Sequence, residues 1–205
     1  MIVLGLTGSI GMGKTTAARM LRRMGIPVHD ADAAVHRLLA RGGAAVRPIA
    51  VAFAGTVRDG AVDRQELGRR VFGDPAALGR LERIVHPLVR RSSDRFLAAH
   101  RARRTPIVVL DVPLLYEKGG VRCCDRVIVV SAPAFLQRQR VLRRPGMTQA
   151  RFAGILAQQM PDVEKRRRAD AVVPTGLGKG YTWHRLAAAL RAVRRRPARR
   201  SVAHA

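Results

Sequence analysis

The chain opens with an apolar run, Met1-Ile2-Val3-Leu4, and soon reaches Gly8-Ser9-Ile10-Gly11-Met12-Gly13-Lys14-Thr15. The octet fits the pattern G-x-x-x-x-G-K-[ST], which needs a buried strand before it and a helix after it. Glycines suit the loop because the backbone must curl tightly and bring several N–H groups to phosphate oxygens, which side chains would obstruct. Lys14 would reach the outer phosphates as a point charge, and the Thr15 hydroxyl suits Mg²⁺. From Thr16 to Met24, the residues Ala17, Leu21 and Met24 fall on one helical stripe, so the phosphates would also sit on a helix N-terminus. Gly8, Gly11, Met12, Gly13, Lys14, Thr15 and Thr16 are therefore the expected contacts of a nucleoside triphosphate. The plain structural alternative is a glycine-rich turn with an idle Lys14.

Further apolar runs share the continuous, β-branched character of the first: Ile107-Val108-Val109-Leu110 and Val127-Ile128-Val129-Val130, with shorter ones at Ile26 to Val28 and Ala171-Val172-Val173. Continuous runs suit strands buried on both faces. With helical patterns between them, they predict an α/β fold of three layers, a P-loop NTPase arrangement with a parallel sheet of about five strands and helices on both faces. Ligands of such sheets bind at the carboxyl ends of the strands. Asp30 and Asp32 follow the second run and Asp111 follows Leu110, so three carboxylates are expected at the edge that carries the phosphate loop. Asp32 also reads as a helix N-cap, and Asp111 as a strand-end cap.

Between the second and third of these strands lies a long helical insertion, about residues 33–104, with breaks at Gly42-Gly43, Gly55 to Gly60 and Asp74-Pro75. After the fourth strand, Pro133 opens a helix that must stop near Pro145-Gly146, and a second runs from about Thr148 to before Pro161, burying Phe152, Ile155 and Leu156. Gln137, Arg140 and Arg144 share one face of the first helix. The segment 137–168 reads either as a mobile lid over the phosphates or as a solvated basic face.

The 205 residues carry a formal charge of +25, which invites a nucleic-acid reading. Only four of the 39 basic residues are lysine, and alanine is abundant, so an arginine-favouring coding bias accounts for much of the excess. Scattered aromatics make a poor base-stacking platform. No stretch has the apolar length of a membrane span, and no basic leader precedes the first strand, so a cytoplasmic, most simply monomeric, protein is expected, with no specific nucleic-acid partner. Adjacent Cys123 and Cys124 suit neither a metal pair nor an easy intrachain bridge and read as reduced packing residues. The basic stretch 196–205 is expected to be a disordered tail beyond a single domain of residues 1–195.

Together, the loop in its context Leu6 to Thr15, Asp30-Ala31-Asp32, His86-Pro87, Pro113-Leu114-Leu115-Tyr116-Glu117, the lid residues Gln137, Arg140 and Arg144, and Arg168-Ala169-Asp170 resemble the dephospho-coenzyme A kinase family. The likeness spans about Val3 to Leu190; where the family has an asparagine-containing turn after the last strand, this chain has Pro174-Thr175-Gly176. The resemblance implies ATP and dephospho-coenzyme A as substrates, Mg²⁺ as cofactor, and a nucleoside-monophosphate-kinase-like fold. That fold has a core over about 1–32, 105–136 and 169–195, the acceptor-binding insertion, and the lid. It implies Asp32 as proton acceptor, Lys14, Arg140 and Arg144 as catalytic cations, and His86, Asp111, Leu115 and Glu117 near the acceptor, with Thr15 and Asp111 toward the metal. From the residues alone, His86 before proline equally anchors a kink in the insertion. Two other readings stay open, a nucleic-acid binder that uses ATP as a switch and a kinase of another small acceptor such as a nucleotide or shikimate.

Overall fold

In the computed structural model the described residues are 1–195; the expected tail over 196–205 lies outside them. Along the chain run β1 (Ile2–Thr7), α1 (Lys14–Arg23), β2 (Val28–Asp30), α2 (Ala31–Leu39), α3 (Val46–Ala52), β3 (Val57–Arg58), β4 (Ala61–Val62), α4 (Arg64–Val71) and α5 (Pro75–Ala102). They are followed by β5 (Ile107–Asp111), a 3₁₀ turn at Gly120–Cys123, β6 (Arg126–Ser131), α6 (Ala134–Leu142), α7 (Gln149–Ala157), α8 (Asp162–Arg168), β7 (Ala171–Pro174) and α9 (Lys179–Arg195). Five strands form a parallel sheet in the order β2-β5-β1-β6-β7, with helices on both sides.

The continuous apolar runs explain that sheet. Leu4 and Leu6 of β1 are fully buried among Ala17 and Leu21 of α1 and Leu186 and Leu190 of α9. Val127 and Val129 of β6 pack instead with Leu115 and Tyr116. Each such buried aliphatic side chain contributes roughly 1.5–3 kcal/mol relative to exposure, so both faces are strongly driven together. The register pairs Ile2 with Ile107 and Leu6 with Asp111, which puts Asp111 beside the last residues of β1.

The chain divides into two compact units, one of Met1–Val28 with the chain from Arg104 onward, the other of His29–Arg103. In the second unit, α2 to α5 close around Leu39, Ile49, Phe53, Val62, Leu67 and Ala77. Asp63 caps α4 through the N–H groups of Gln65 and Glu66, and Asp74 caps α5 through those of Ala76 and Ala77. Such caps satisfy amides that a helix start otherwise leaves open.

Three local features differ from the sequence expectation. The second strand starts at Val28 and runs through Asp30, because Pro27 has no N–H and joins the sheet only through its carbonyl, which accepts from Val109 at 2.9 Å. The insertion contains the hairpin of β3 and β4, turned by Asp59 and Gly60 at φ 49° and 76°, an Asp-Gly turn whose two-residue strands are too short to show periodicity. Helix α8 lacks an apolar stripe, and its only buried residue is Lys165. Of the cysteines, Cys123 is exposed and Cys124 half-buried, both free. Burial, then the neighbouring Cys123 and Asp125, push the Cys124 thiol up to about 12, which keeps it protonated and inert.

Candidate active site

The loop from Gly8 to Gly13 joins β1 to α1 beside the ends of β5 and β6. A Cβ on Gly8 would lie 2.6 Å from both Cγ2 and the carbonyl oxygen of Val130, so only glycine fits this approach to the sheet. Gly11 and Gly13 take φ values of 78° and 86°, where an L side chain is strained. Inside the loop the Met12 N–H donates to the Ser9 carbonyl at 3.1 Å.

Side chains on the outer side hold the loop's backbone. Gln137 Nε2 donates to the Ile10 carbonyl at 2.8 Å, Arg140 donates to the Gly11 carbonyl at 3.4 Å, and Thr175 Oγ1 donates to the Met12 carbonyl at 2.8 Å. The Ile10 N–H donates to Gln159 Oε1 at 3.0 Å. Because the C=O and N–H of a trans peptide unit point in opposite directions, turning the Ile10 and Met12 carbonyls outward turns the Gly11 and Gly13 N–H groups inward. Helix α1 starts at Lys14 without a side-chain cap. Among the described residues the N–H groups of Gly11, Gly13, Lys14 and Thr15 have no protein partner. Convergent amides at a helix N-terminus form an anion site, further favoured by the helix dipole.

Lys14 stands at this site with its Nζ 2.7 Å from Asp111 Oδ1. The Asp111 side chain is 2 % exposed and that of Lys14 15 %. A buried ion pair gains little over its desolvation cost, yet removal of one partner strands the other charge. The pair therefore fixes the ammonium at the mouth of the loop. Thr15 is exposed at the second helical position.

Helix α6, the segment after α7 and the residue after β7 supply the loop's outer contacts. Arg140 also donates to Thr175, to its Oγ1 at 3.1 Å and its carbonyl at 2.7 Å. Arg144, one turn further on, is exposed. Glu117, after β5, accepts from the Met160 N–H at 2.8 Å and lies 2.8 Å from Lys165 Nζ through the same oxygen. The Lys165 contact has the distance of an ion pair without hydrogen-bond angles, so the ammonium's donors and Glu117 Oε2 are left unmatched in the interior. Burial pushes the Glu117 carboxyl upward, but the close Lys165 ammonium and the hydrogen bonds from the Glu117 and Met160 amides outweigh it, and the net shift is downward.

Two of the expected contacts have buried side chains. Leu115 is 1 % exposed and packs in the core beneath Gly5 and Gly120, which leaves it no surface for an acceptor. The Met12 side chain is buried, its sulfur accepting from the Ala132 N–H at 3.1 Å, while its own N–H and carbonyl are taken by Ser9 and Thr175.

In the unit His29–Arg103, the N-cap of α2 is Asp30, whose Oδ1 accepts from the Ala33 N–H at 2.9 Å. The cap is thus one carboxylate earlier than the alternative weighed for Asp32, which is exposed in the first turn of α2. His86 is exposed on α5, and the helix continues through Pro87.

Gln159, Lys165 and Thr175 complete the loop's support and are not legible as site residues. Their partners lie far away in sequence, Gln159 being 149 and Thr175 163 residues from the loop atoms they hold. The departure at Pro174-Thr175-Gly176 was the one local sign.

Comparison with known proteins agrees with this geometry. The dephospho-CoA kinase family model matches residues 2–176. A dephospho-CoA kinase of Paramagnetospirillum magneticum is 67% identical over 166 residues, 81% of this chain and 78% of that protein. One from Novosphingobium aromaticivorans is 56% identical over 192 residues, 94% of each. The crystal structure of TT1252 from Thermus thermophilus, 37% identical, superposes with a TM-score of 0.80 over 94% of this chain and 97% of that one. By its phosphate loop and by these matches along most of its length, the chain belongs to the dephospho-CoA kinase family.

Proposed function

We infer that this protein transfers the γ-phosphoryl group of ATP to the ribose 3′-hydroxyl of dephospho-coenzyme A, giving coenzyme A and ADP, the final step of coenzyme A biosynthesis. The observation that carries the reading is the open set of loop amides with Lys14 at its mouth, in a chain whose family uses that acceptor. The acceptor oxygen bonds to the γ-phosphorus, the bond to the β–γ bridging oxygen breaks, and the hydroxyl proton passes to Asp32, whose exposed carboxylate is not spent on capping. The amides of Gly11, Gly13, Lys14 and Thr15 hold the phosphates, and Lys14 neutralises charge that builds on the transferring group. Gly8 and Thr16 serve as the loop's floor and its continuation into α1.

Arg140 draws α6 onto the loop and brings its charge beside Gly11, while exposed Arg144 supplies a free guanidinium to the phosphoryl group. Asp111, His86 and Glu117 are the candidate contacts of the acceptor, and Glu117 also holds the chain at Met160. Mg²⁺ fits the oxygen donors present: the Thr15 hydroxyl is exposed at the loop's end and the Asp111 carboxylate adjoins Lys14. No cluster of three or more His, Cys, Asp or Glu among the described residues would hold a metal alone, so Thr15 and Asp111 would hold Mg²⁺ together with the nucleotide. When bound, the ion would supply charge between the β- and γ-phosphates. We take the working unit to be a monomer. Among the described residues no helix is long and apolar enough to cross a membrane, in keeping with work in the cytoplasm.

The test is product mass after incubation with ATP, Mg²⁺ and dephospho-coenzyme A, beside shikimate and a nucleoside monophosphate. A gain of one phosphoryl group on dephospho-coenzyme A is expected. Preference for another acceptor would overturn the assignment.

A further inference from the structure

Gly11, at a φ of 78°, lies where glycine moves freely. Rotation of the Ile10–Gly11 peptide there would replace an inward N–H by a carbonyl oxygen, which repels phosphate. Two glutamines bracket that rotation at Ile10: Gln137 holds the carbonyl of the rotating peptide itself, and Gln159 holds the N–H of the Ser9–Ile10 peptide before it, which fixes the end from which the rotation would start. Gln137, on α6 and buried, donates to the Ile10 carbonyl at 2.8 Å. Gln159, in the segment after α7, accepts from the Ile10 N–H at 3.0 Å.

The segment that presents Gln159 is itself anchored. The next residue, Met160, donates its N–H to Glu117 Oε1 at 2.8 Å, and Lys165 Nζ lies 2.8 Å from the same oxygen. Lys165 is fully buried and Glu117 14 % exposed, so the charges sit where an imperfect pair contributes little stability of its own. A buried pair placed one residue from a loop contact is explained by what it fixes. We propose that Gln137 and Gln159 are positioning residues that clamp Ile10 and keep the Gly11 N–H turned to the phosphates, with the buried Glu117–Lys165 pair anchoring the Gln159 jaw.

The contacts assign each amide its orientation: Gln159 must present oxygen and Gln137 nitrogen. Gln159→Glu therefore keeps an acceptor for the Ile10 N–H, whereas Gln159→Leu removes it at similar size. The inference rests on the kinase reading, so the first readout is ATP affinity by calorimetry without any acceptor, which stands whichever alcohol the enzyme uses. Loss of the clamp in Gln159→Leu is expected to weaken ATP binding by about ten-fold, and Gln159→Glu by less than half as much on a logarithmic scale. In turnover assays the KM for ATP should rise while that for the acceptor stays within about two-fold, a split that general destabilisation does not produce.

The anchor is tested by the double variant Glu117→Leu with Lys165→Met, which leaves no buried charge unpaired. It should weaken ATP binding to a similar extent, and adding Gln159→Leu to it should cause little further loss, because both changes release the same jaw. Parent-like ATP affinity in folded Gln159→Leu, equal losses in the Leu and Glu variants, or full additivity in the triple variant would each overturn the proposal. If Gln159→Leu does not fold, Gln137→Glu, which sets a carboxylate against the Ile10 carbonyl, takes its place, and unchanged ATP affinity there has the same force.

Discussion

Two strand-to-helix junctions, one in each unit, solve the same problem in opposite ways. After β1, the helix α1 begins behind Gly13 with no side chain on its first amides, and outer contacts from Gln137, Arg140 and Thr175 keep the loop carbonyls away from them. After β2, the helix α2 begins at once, and Asp30 fills the Ala33 amide from within. A junction that caps itself has no room for an anion; one left uncapped at a helix start has a standing deficit of acceptors. The first is built to receive phosphate. The second is closed by Asp30, and Asp32 in the first turn of α2 is exposed and takes no part in the cap.

The sharpest way to break this contrast is at Asp32. Asp32→Asn keeps shape and removes the proton acceptor, so turnover is expected to fall by about 10²- to 10⁴-fold, while ATP binding measured by calorimetry stays within about two-fold. Near-normal turnover would mean that the free carboxylate of α2 has no part in the chemistry. At the uncapped junction, Lys14→Met should lower kcat by about 10²- to 10³-fold and weaken ATP binding as well, since the charge serves both bound and transition states. It also strands Asp111. Adding Asp111→Asn should therefore recover thermal stability, read as Tm, without recovering turnover. Recovery of both would show that Lys14 matters to the fold and not to the phosphates.

A smaller effect tests the capping half of the comparison. Asp30→Ala removes the acceptor for the Ala33 amide and should cost about 1 kcal/mol of stability in urea denaturation, with turnover changed far less than by Asp32→Asn. If Asp30→Ala were the more damaging to turnover, the two carboxylates would have to exchange roles.

The legible parts of this design are the local ones. The loop pattern, the apolar runs of β5 and β6 and the carboxylates that close β2 and β5 each occupy a few adjacent residues, and their physics is that of backbone geometry and burial. The Asp59-Gly60 turn was equally local and went unread because its strands span only two residues each. Much of what holds the loop's backbone comes from Gln159 and Thr175, distant in sequence and ordinary in type, and while Gln137 is marked by its shared face with Arg140 and Arg144, its partner Ile10 is not. No periodicity marks a glutamine that will meet Ile10 across the fold. Leu115 shows the converse: it lies in a recognisable motif beside Glu117, yet its place is the core, so a motif's outline does not say which members face the ligand.

The mildest expected effect concerns the start of the self-capped junction. His29, next to Asp30, is buried beside Phe96, with Nε2 3.1 Å from Ser92 Oγ and Nδ1 without a hydrogen-bond partner. Burial and then the charge of Arg37 hold its pKa below the usual 6.5, with Asp30 opposing them only in part. The unfolded chain therefore binds a proton at a higher pH than the folded one. Between the folded pKa and about 6.5, stability must rise with pH; it is fully present above that range and lost as acidification protonates the unfolded state first. Replacement by His29→Gln, which keeps a polar partner for Ser92 and cannot titrate, should leave a smaller difference between urea unfolding free energies at pH 7.5 and 5.5 than the parent shows, by about 1 kcal/mol for each unit of depression. An identical pH dependence in the two proteins would mean that His29 is protonated as readily in the fold as outside it, and that the buried start of α2 carries no penalty for charge.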